Sequence, residues 1–282
     1  GVNGTGTALA GVDDLGRVRL AAVDYVPPGR KPAGPPGPLA LTQLPYGTPA
    51  QRVAAQAAAV SADGRTFAIA VEGGLLVWRP FPLGPRGKGA GPPRGAFTRG
   101  VFVGAPRPVH GLGIDPSGRW LFALDAGGVR RYDLRPIPDA PELAPDLGGG
   151  EVVLAAGDAR ALAFHPAREW LAVGVGSGVR VVTYAGEVLA DAPAAHGRPR
   201  VEALAFDAGG GRLASGDLSG QIKLWGVGGS GRLAEERTLT GHGGAVHALA
   251  FNPSGRTLAS GGADRTVILW DPEAGRERLA LT

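Results

Sequence analysis

Residues 246–271 read VHALAFNPSGRTLASGGADRTVILWD, and residues 201–226 read VEALAFDAGGGRLASGDLSGQIKLWG. Each stretch contains a short apolar run, a polar turn, a second apolar run, a turn with Gly or Asp, and a third run that ends near Trp. Short apolar runs separated by turn residues are typical of antiparallel strands that follow one another as a meander. The two stretches therefore predict the same three-strand unit, repeated.

Weaker copies of this unit precede these two. They occupy residues 159–184, 109–134 and 54–79, and a partial copy at 7–25 is expected to lack its first strand. Self-similarity of this kind marks repeat folds, in which four-stranded antiparallel sheets pack face to face around an axis. A fourth strand is predicted after each unit, within residues 38–44, 96–104, 151–156, 186–192, 236–241 and 276–282.

The composition agrees with an all-β fold. The 49 Gly and 25 Pro residues disfavour long helices, because Gly weakens a helix and Pro breaks it. No run of about 18 apolar residues is present and the first residues lack the pattern of a signal peptide, so we expect a soluble, cytoplasmic protein without membrane contact. The chain has no Cys, which excludes disulfides and thiolate metal sites. A net charge of +4 without any run of five like charges gives no reason to expect nucleic acid as a partner.

Three stretches carry a resemblance to the WD-repeat β-propeller family, in its bacterial form. They are Gly241-His242, LASGGADRTVILWD at 258–271 and LASGDLSGQIKLW at 213–225. The resemblance implies a propeller of four-stranded blades, six of them visible and the first incomplete. The chain contains no Met, even at position 1, so we expect a segment of a longer protein whose intact propeller could have seven blades. The expected blades span approximately residues 1–50, 51–106, 107–156, 157–197, 198–243 and 244–282.

His242, Ser260 and Asp264 could be mistaken for the catalytic triad of a hydrolase. The resemblance implies instead that these residues and Trp270 form a structural hydrogen-bond network inside one blade. A nucleophilic serine would need exposure, a nearby base and an oxyanion hole, and the G-x-S-x-G elbow is absent from the sequence. In the preceding copy Ser219 stands where the last copy has Asp264, so we expect only the last copy to have the full network, with His196 and Ser215 preserving part of it in the preceding copy.

One position near the start of each first strand varies while its neighbours stay small or apolar. In this family partners often dock on the face that carries the mouth of the channel, and variation at a uniform position suggests exposure there. The alternative, that these residues only solvate the rim, remains open. The proposed rim residues are Gln56, His110, Arg160, Glu202 and His247.

No metal or cofactor is expected. His110 and His247 lie three repeats apart, too far to share an ion, and phosphate-loop, zinc and calcium motifs are absent from the sequence. His165, in the turn "HPAR", is expected to be exposed to solvent. Three Pro-rich insertions are interpreted as spacers, with recognition by a partner groove as the alternative. They occupy residues 26–38, 80–95 and 135–150.

The resemblance implies a non-catalytic propeller that serves as a rigid scaffold for protein–protein interaction. Similar bacterial propellers are often attached to signalling modules, and the identity of the protein partner is open. No obligate small molecule is expected. The alternative is a propeller enzyme or small-ligand sensor that uses the central channel, which would need converging acidic or His residues on several first strands.

Overall fold

The structure is a computed structural model that describes residues 8–12, 18–22, 41–43, 57–63, 66–78, 101–135 and 148–282. Every regular element within these ranges is a β-strand. Gln56 and the insertions at 26–38 and 80–95 lie outside the described residues, as do residues 136–147 of the insertion at 135–150.

The strands are short and are separated by tight turns. Numbered in chain order, they are β1 (Ala8–Val12), β2 (Val18–Ala22), β3 (Leu41–Gln43), β4 (Ala57–Val60), β5 (Phe67–Val71), β6 (Gly74–Trp78), β7 (Val101–Gly104), β8 (Val109–Ile114), β9 (Trp120–Asp125), β10 (Gly128–Asp133), β11 (Glu151–Ala155), β12 (Ala159–Phe164), β13 (Trp170–Val175), β14 (Gly178–Thr183), β15 (Val188–Ala192), β16 (Val201–Phe206), β17 (Arg212–Asp217), β18 (Ile222–Val227), β19 (Leu233–Leu239), β20 (Val246–Phe251), β21 (Leu258–Gly262), β22 (Val267–Asp271) and β23 (Arg276–Leu281).

These strands form six sheets, here called sheets 1 to 6 in chain order. Sheet 1 contains β1–β3, and the five others contain four strands each: β4–β7, β8–β11, β12–β15, β16–β19 and β20–β23. In every sheet the strands are neighbours in chain order, as in a meander. The prediction of an all-β chain built from four-stranded antiparallel propeller blades is thus confirmed.

Sheet 1 has three described strands, and β1 lies beside β4, the first strand of sheet 2. β3 pairs with β2 and falls within residues 38–44, where the sequence predicts a fourth strand. That the first copy lacks its first strand remains a prediction.

The chain falls into two compact units, residues 1–125 with 130–151 and residues 126–129 with 152–282. In the first unit, Leu75, Val109 and Leu121 belong to one buried apolar cluster. In the second unit, the first strands β12, β16 and β20 lie side by side, and two apolar clusters fill the spaces between the faces of sheets 4, 5 and 6.

A glycine on the second strand makes room for each following sheet in the second unit. A Cβ added to Gly174 would lie 2.9 Å from Val201 Cγ1, and one added to Gly216 would lie 2.6 Å from Val246 Cγ1. Both valines begin the first strand of the next sheet. Burial of these branched side chains over a residue without a Cβ explains why glycine recurs at this point of the repeat.

A β-bulge recurs near the start of four first strands. In sheet 3, Val109 pairs with Asp125 and Gly111 with Leu124, so the register of the ladder passes over His110, the extra residue of the bulge. Sheets 4, 5 and 6 repeat this irregularity, with Arg160, Glu202 and His247 as the extra residues. A bulge inserts one residue into a strand and redirects its side chain.

Candidate functional site: the bulged rim and the buried hydrogen-bond chains

In sheet 6 the structure brings His242, Ser260, Asp264 and Trp270 together. His242 Nε2 lies 2.7 Å from Ser260 Oγ, and His242 Nδ1 lies 2.9 Å from Asp264 Oδ2. Trp270 Nε1 donates to Ser260 Oγ at 2.7 Å. Ser260 is only 2% exposed, so its hydroxyl is bonded on the inside of the sheet and is not presented to solvent.

The turn between the second and third strands holds the carboxylate of this network. Burial alone would raise the pKa of Asp264, but hydrogen bonds from the amide and hydroxyl of Thr266, from His242 and from the Gly243 amide hold that pKa well below its usual range. Gly262 makes the approach possible, since a Cβ there would lie 2.6 Å from His242 Nδ1. The ionised carboxylate is therefore an acceptor at the centre of the turn.

Sheet 5 contains a second complete network, of which the sequence reasoning predicted only a part and missed the carboxylate. His196 Nε2 lies 2.7 Å from Ser215 Oγ, Trp225 Nε1 donates to the same oxygen at 2.8 Å, and His196 Nδ1 lies 2.8 Å from Asp217 Oδ2. The expectation that only the last copy has the full set was therefore wrong. Ser219 does not replace the carboxylate, and its hydroxyl instead donates to Asp217 Oδ1 at 2.8 Å.

The carboxylate of sheet 5 comes from a different position of the repeat. Asp217 pairs with Val201 in the ladder, as Gly262 pairs with Val246 in sheet 6. Burial lowers the pKa of His196, although the neighbouring Asp217 carboxylate raises it in part. A neutral imidazole protonated on Nδ1 donates to the carboxylate and accepts the serine proton on Nε2, which satisfies every buried polar group of this network.

These two networks have the composition of a catalytic triad but not its chemistry. Each serine hydroxyl accepts from a buried indole and bonds to a buried imidazole, so no lone pair is directed toward a substrate. The networks tie the second and third strands of each sheet to the segment that precedes the first strand. Their function within the sheet is mechanical.

Comparison with known families locates these networks within a recognised repeat. A family model described as "WD domain, G-beta repeat" matches residues 192–226 and 234–271. The two matched segments contain the two complete hydrogen-bond networks. Two WD repeats are therefore found in sheets 5 and 6. No curated protein matches the chain.

The proposed rim residues all fall at the bulges, where they are described. His110 and Glu202 are half-buried, whereas Arg160 and His247 are exposed. Within the second unit, Arg160, Glu202 and His247 lie on the adjacent strands β12, β16 and β20. The structure does not describe Gln56, so that residue remains a prediction.

Two residues that the sequence reasoning missed connect the rim positions of sheets 4 and 5. Asp158 Oδ1 lies 3.3 Å from Arg160 Nε and 3.8 Å from Arg200 Nη1. Arg200 Nε donates in turn to Glu202 Oε1 at 2.5 Å, a hydrogen bond that raises the pKa of Arg200. The available signal was a pair of opposite charges two residues apart, in "DAR" (158–160) and "RVE" (200–202).

Leu218 adjoins this chain of charges through its backbone. Leu218, in the turn after the second strand of sheet 5, is 42% exposed, and its amide donates to Arg200 O at 3.0 Å. In sheet 6 the equivalent amide of Ala263 donates to Ala245 O. We call the surface formed by Asp158, Arg160, Arg200, Glu202 and Leu218 the rim patch.

His165 is not the exposed turn residue that was expected. It is 6% exposed, and its ring packs edge-to-face against Trp170 and Phe206, with 5.3 Å between centroids in both cases. His165 Nδ1 accepts from the Ala167 amide at 3.1 Å. Burial lowers the pKa of His165, and Gly210 of the next sheet covers its ring.

Among the described residues, no group of three or more His, Asp or Glu side chains is arranged to hold a metal ion. The same part of the chain contains no helix of the length and apolarity that a bilayer crossing requires.

Proposed function

We propose that the chain is a non-catalytic WD-repeat propeller that provides a rigid scaffold for protein–protein interaction. The bulged first-strand positions are proposed as part of its contact surface. The observation that carries this proposal is the recurrence of one bulged residue at the same point of four first strands, with a different local charge in successive sheets. By resemblance to bacterial propellers attached to signalling modules, we also propose a bacterial signalling protein as its context.

The buried networks support the same proposal. They join the turns to the strands, so the loops that would face a partner are already ordered before binding. Association then loses less conformational entropy than it would on a flexible surface. The His, Ser and Asp side chains that most resemble a catalytic triad are engaged in these structural hydrogen bonds. The proposed rim would therefore bind a partner rather than catalyse a reaction.

A capture experiment with two matched triple variants tests the proposal. Arg160→Ala, Glu202→Ala and His247→Ala together remove the three described rim residues of the second unit. Arg256→Ala, Glu273→Ala and Arg276→Ala remove similar side chains from exposed positions elsewhere on sheet 6. Partners are cross-linked to the tagged chain in cells and quantified by mass spectrometry, with circular dichroism as the check on folding.

We expect the rim variant to lose at least one partner that both the parent and the control variant retain. Retention of every partner by the rim variant would contradict the proposal. A catalytic turnover that the rim variant abolishes would instead favour an enzyme that uses the channel.

A further inference from the structure

We propose that His165 is an acid-sensitive latch, which holds the turn between β12 and β13 against sheet 5 and releases it when the imidazole is protonated. Such a latch goes beyond the proposed scaffold function, because it would regulate the shape of the chain whichever partner binds. Three features of His165 support it, namely its position in the repeat, its hydrogen bonds and its contacts across the two sheets.

His165 occupies a position of the repeat that other described sheets fill with a different kind of residue. In sheets 2 to 6 the amide of the residue after the first strand donates to the carbonyl five residues further on, which identifies the equivalent residues as Ser61, Asp115, His165, Asp207 and Asn252. All of these side chains except that of His165 accept from the amide five residues further on. In sheet 4 that amide, of Trp170, donates instead to Arg168 O at 2.7 Å. Between about pH 7.5 and 5 a histidine can gain a proton, whereas Ser, Asp and Asn ordinarily do not.

The hydrogen bonds of His165 require a neutral imidazole. Its Nδ1 atom accepts from the Ala167 amide at 3.1 Å, and a ring nitrogen that accepts a hydrogen bond carries no proton. Burial lowers the pKa of His165 and the Arg168 cation lowers it further, while a hydrogen bond with the Gly210 backbone and the Asp207 carboxylate raise it in part. Protonation would place an N–H against the Ala167 N–H and a second positive charge beside Arg168.

The contacts of His165 connect sheet 4 with sheet 5. Its ring packs edge-to-face against Trp170 of sheet 4 and Phe206 of sheet 5, and it is 6% exposed. Beside it, the Arg168 guanidinium lies 4.4 Å from the centre of the Trp170 ring and donates to Gly229 O of sheet 5. A protonated ring would gain hydration only if the turn moved away from sheet 5, and that movement would also break the contact of Arg168.

The latch lies at the end of β12 that is away from the rim patch. Arg160 stands near the start of β12, whereas His165 directly follows its last residue. Opening would expose the rings of Trp170 and Phe206 at this end. The ladders of β12, β13 and β14 do not depend on His165, so these strands would stay paired. Acid would therefore create an apolar surface without unfolding the sheet.

Amide hydrogen exchange of Ala167, measured by NMR on the full chain between pH 7.5 and 5, tests the latch. Because opening takes up one proton, its equilibrium constant should rise by up to about tenfold for each pH unit below about 6.5, until the pH reaches the pKa of the buried ring. The protection factor of Ala167, corrected for intrinsic exchange rates, should fall by the same factor. The amides of β13 and β14 should keep their protection, which distinguishes local opening from unfolding of sheet 4.

Three variants make the test specific. His165→Asn introduces the side chain that sheet 6 has at Asn252, and it should abolish the pH dependence of Ala167 protection. Asp207→Asn removes a carboxylate that raises the pKa of His165, so that pKa, measured from the imidazole carbon resonances, should fall. His247→Asn removes an exposed histidine of sheet 6 and is the control, which should leave both measurements unchanged.

An Ala167 protection factor that is equal at pH 7.5 and 5 would overturn the latch, and so would an equal pH dependence in His165→Asn and the parent. If His165→Asn does not fold, the parent chain decides, because a His165 pKa of 6.5 or above would show that folding does not disfavour the imidazolium. The scaffold proposal is tested separately, by cross-linking to the triple rim variant.

Discussion

Sheets 5 and 6 form the same hydrogen-bond network from different residues. In both, a buried serine accepts from a tryptophan and bonds to a histidine that contacts an aspartate. In sheet 5 the aspartate, Asp217, is the last residue of the second strand. In sheet 6 the last residue of the second strand is Gly262, and the aspartate, Asp264, lies two residues after it in the turn. The comparison teaches that the repeat preserves the location of a carboxylate oxygen rather than the position of the residue that provides it.

The two sheets also differ in what covers them. The face of sheet 5 that contains Gly216 packs against sheet 6, with Val246 above the glycine. The corresponding face of sheet 6 contains Gly261, where the nearest described atom to an added Cβ would be Ala248 Cβ at 3.8 Å. On that face Val267, Leu279 and Leu281 are exposed. Identical glycines therefore have different packing in adjacent copies of one repeat.

The largest expected effect compares these glycines directly. Gly216→Val forces two side chains into one space, and we expect it to lower the free energy of unfolding by about 2–3 kcal/mol. Gly261→Val makes no close contact with any described residue and should change that free energy by less than about 0.5 kcal/mol. Urea denaturation measures both. Equal losses would show that the face of sheet 6 is covered in solution.

The next effect concerns the source of the carboxylate. Asp217→Gly leaves the buried His196 without its acceptor, and we expect a loss of about 1–3 kcal/mol in the free energy of unfolding. Adding Ser219→Asp to that variant reproduces the arrangement of sheet 6 and should recover at least half of the loss. Thermal and urea unfolding of the single and double variants provide the measurement. No recovery would mean that the two turns are not interchangeable.

The pH dependence of the free energy of unfolding should differ between the networks of sheets 5 and 6. The pKa of His196 is lowered in the folded state by burial, so the folded state binds its proton less tightly than the unfolded chain does. The stability from His196 is therefore complete above the unfolded value of about 6.5 and is lost as the pH falls below it. The lowered pKa of Asp264 gives stability that is present above about 3.9 and is lost as the pH falls further.

Hydrogen exchange followed by mass spectrometry between pH 7.5 and 5 can assign this loss to one sheet, after correction for intrinsic exchange rates. As the pH falls, we expect β16–β18 to lose protection from hydrogen exchange before the other strands. The variant His196→Gln should reduce this pH dependence of protection. An unchanged profile in His196→Gln would contradict the assignment.

The smallest effect is expected at the turn. Arg265 has φ of 67°, and the equivalent residue of sheet 5 is Gly220 at 91°. Arg265→Gly should raise the free energy of unfolding by about 0.5 kcal/mol, because the relief of left-handed strain exceeds the added freedom of the unfolded chain. Gly220→Ala should lower it, since a Cβ there would lie 2.6 Å from His242 O. Differential scanning calorimetry resolves changes of this size if the parent unfolds reversibly.

The strands and their grouping could be predicted because apolar runs and turn residues recur along the chain. The network of sheet 6 could be proposed from resemblance. Asp217 was missed because comparing equivalent positions of the repeat assumes that the carboxylate stays at the same position in every copy. The bulges could not be seen, since strand register is a property of pairing. His165 was misjudged because its burial depends on Phe206 and Gly210 of the next sheet, far along the chain.

The recurring bulge has an evolutionary consequence. A bulged residue stands outside the register of the ladder, so its replacement should leave strand pairing and the buried hydrogen-bond networks unchanged. Evolution could therefore substitute the bulged residues independently of one another, at His110, Arg160, Glu202 and His247. If the proposed rim contacts a partner, binding preference and fold stability would be determined by separate positions. An engineered library that randomises only these four sites would be expected to yield mostly folded members with diverse specificities.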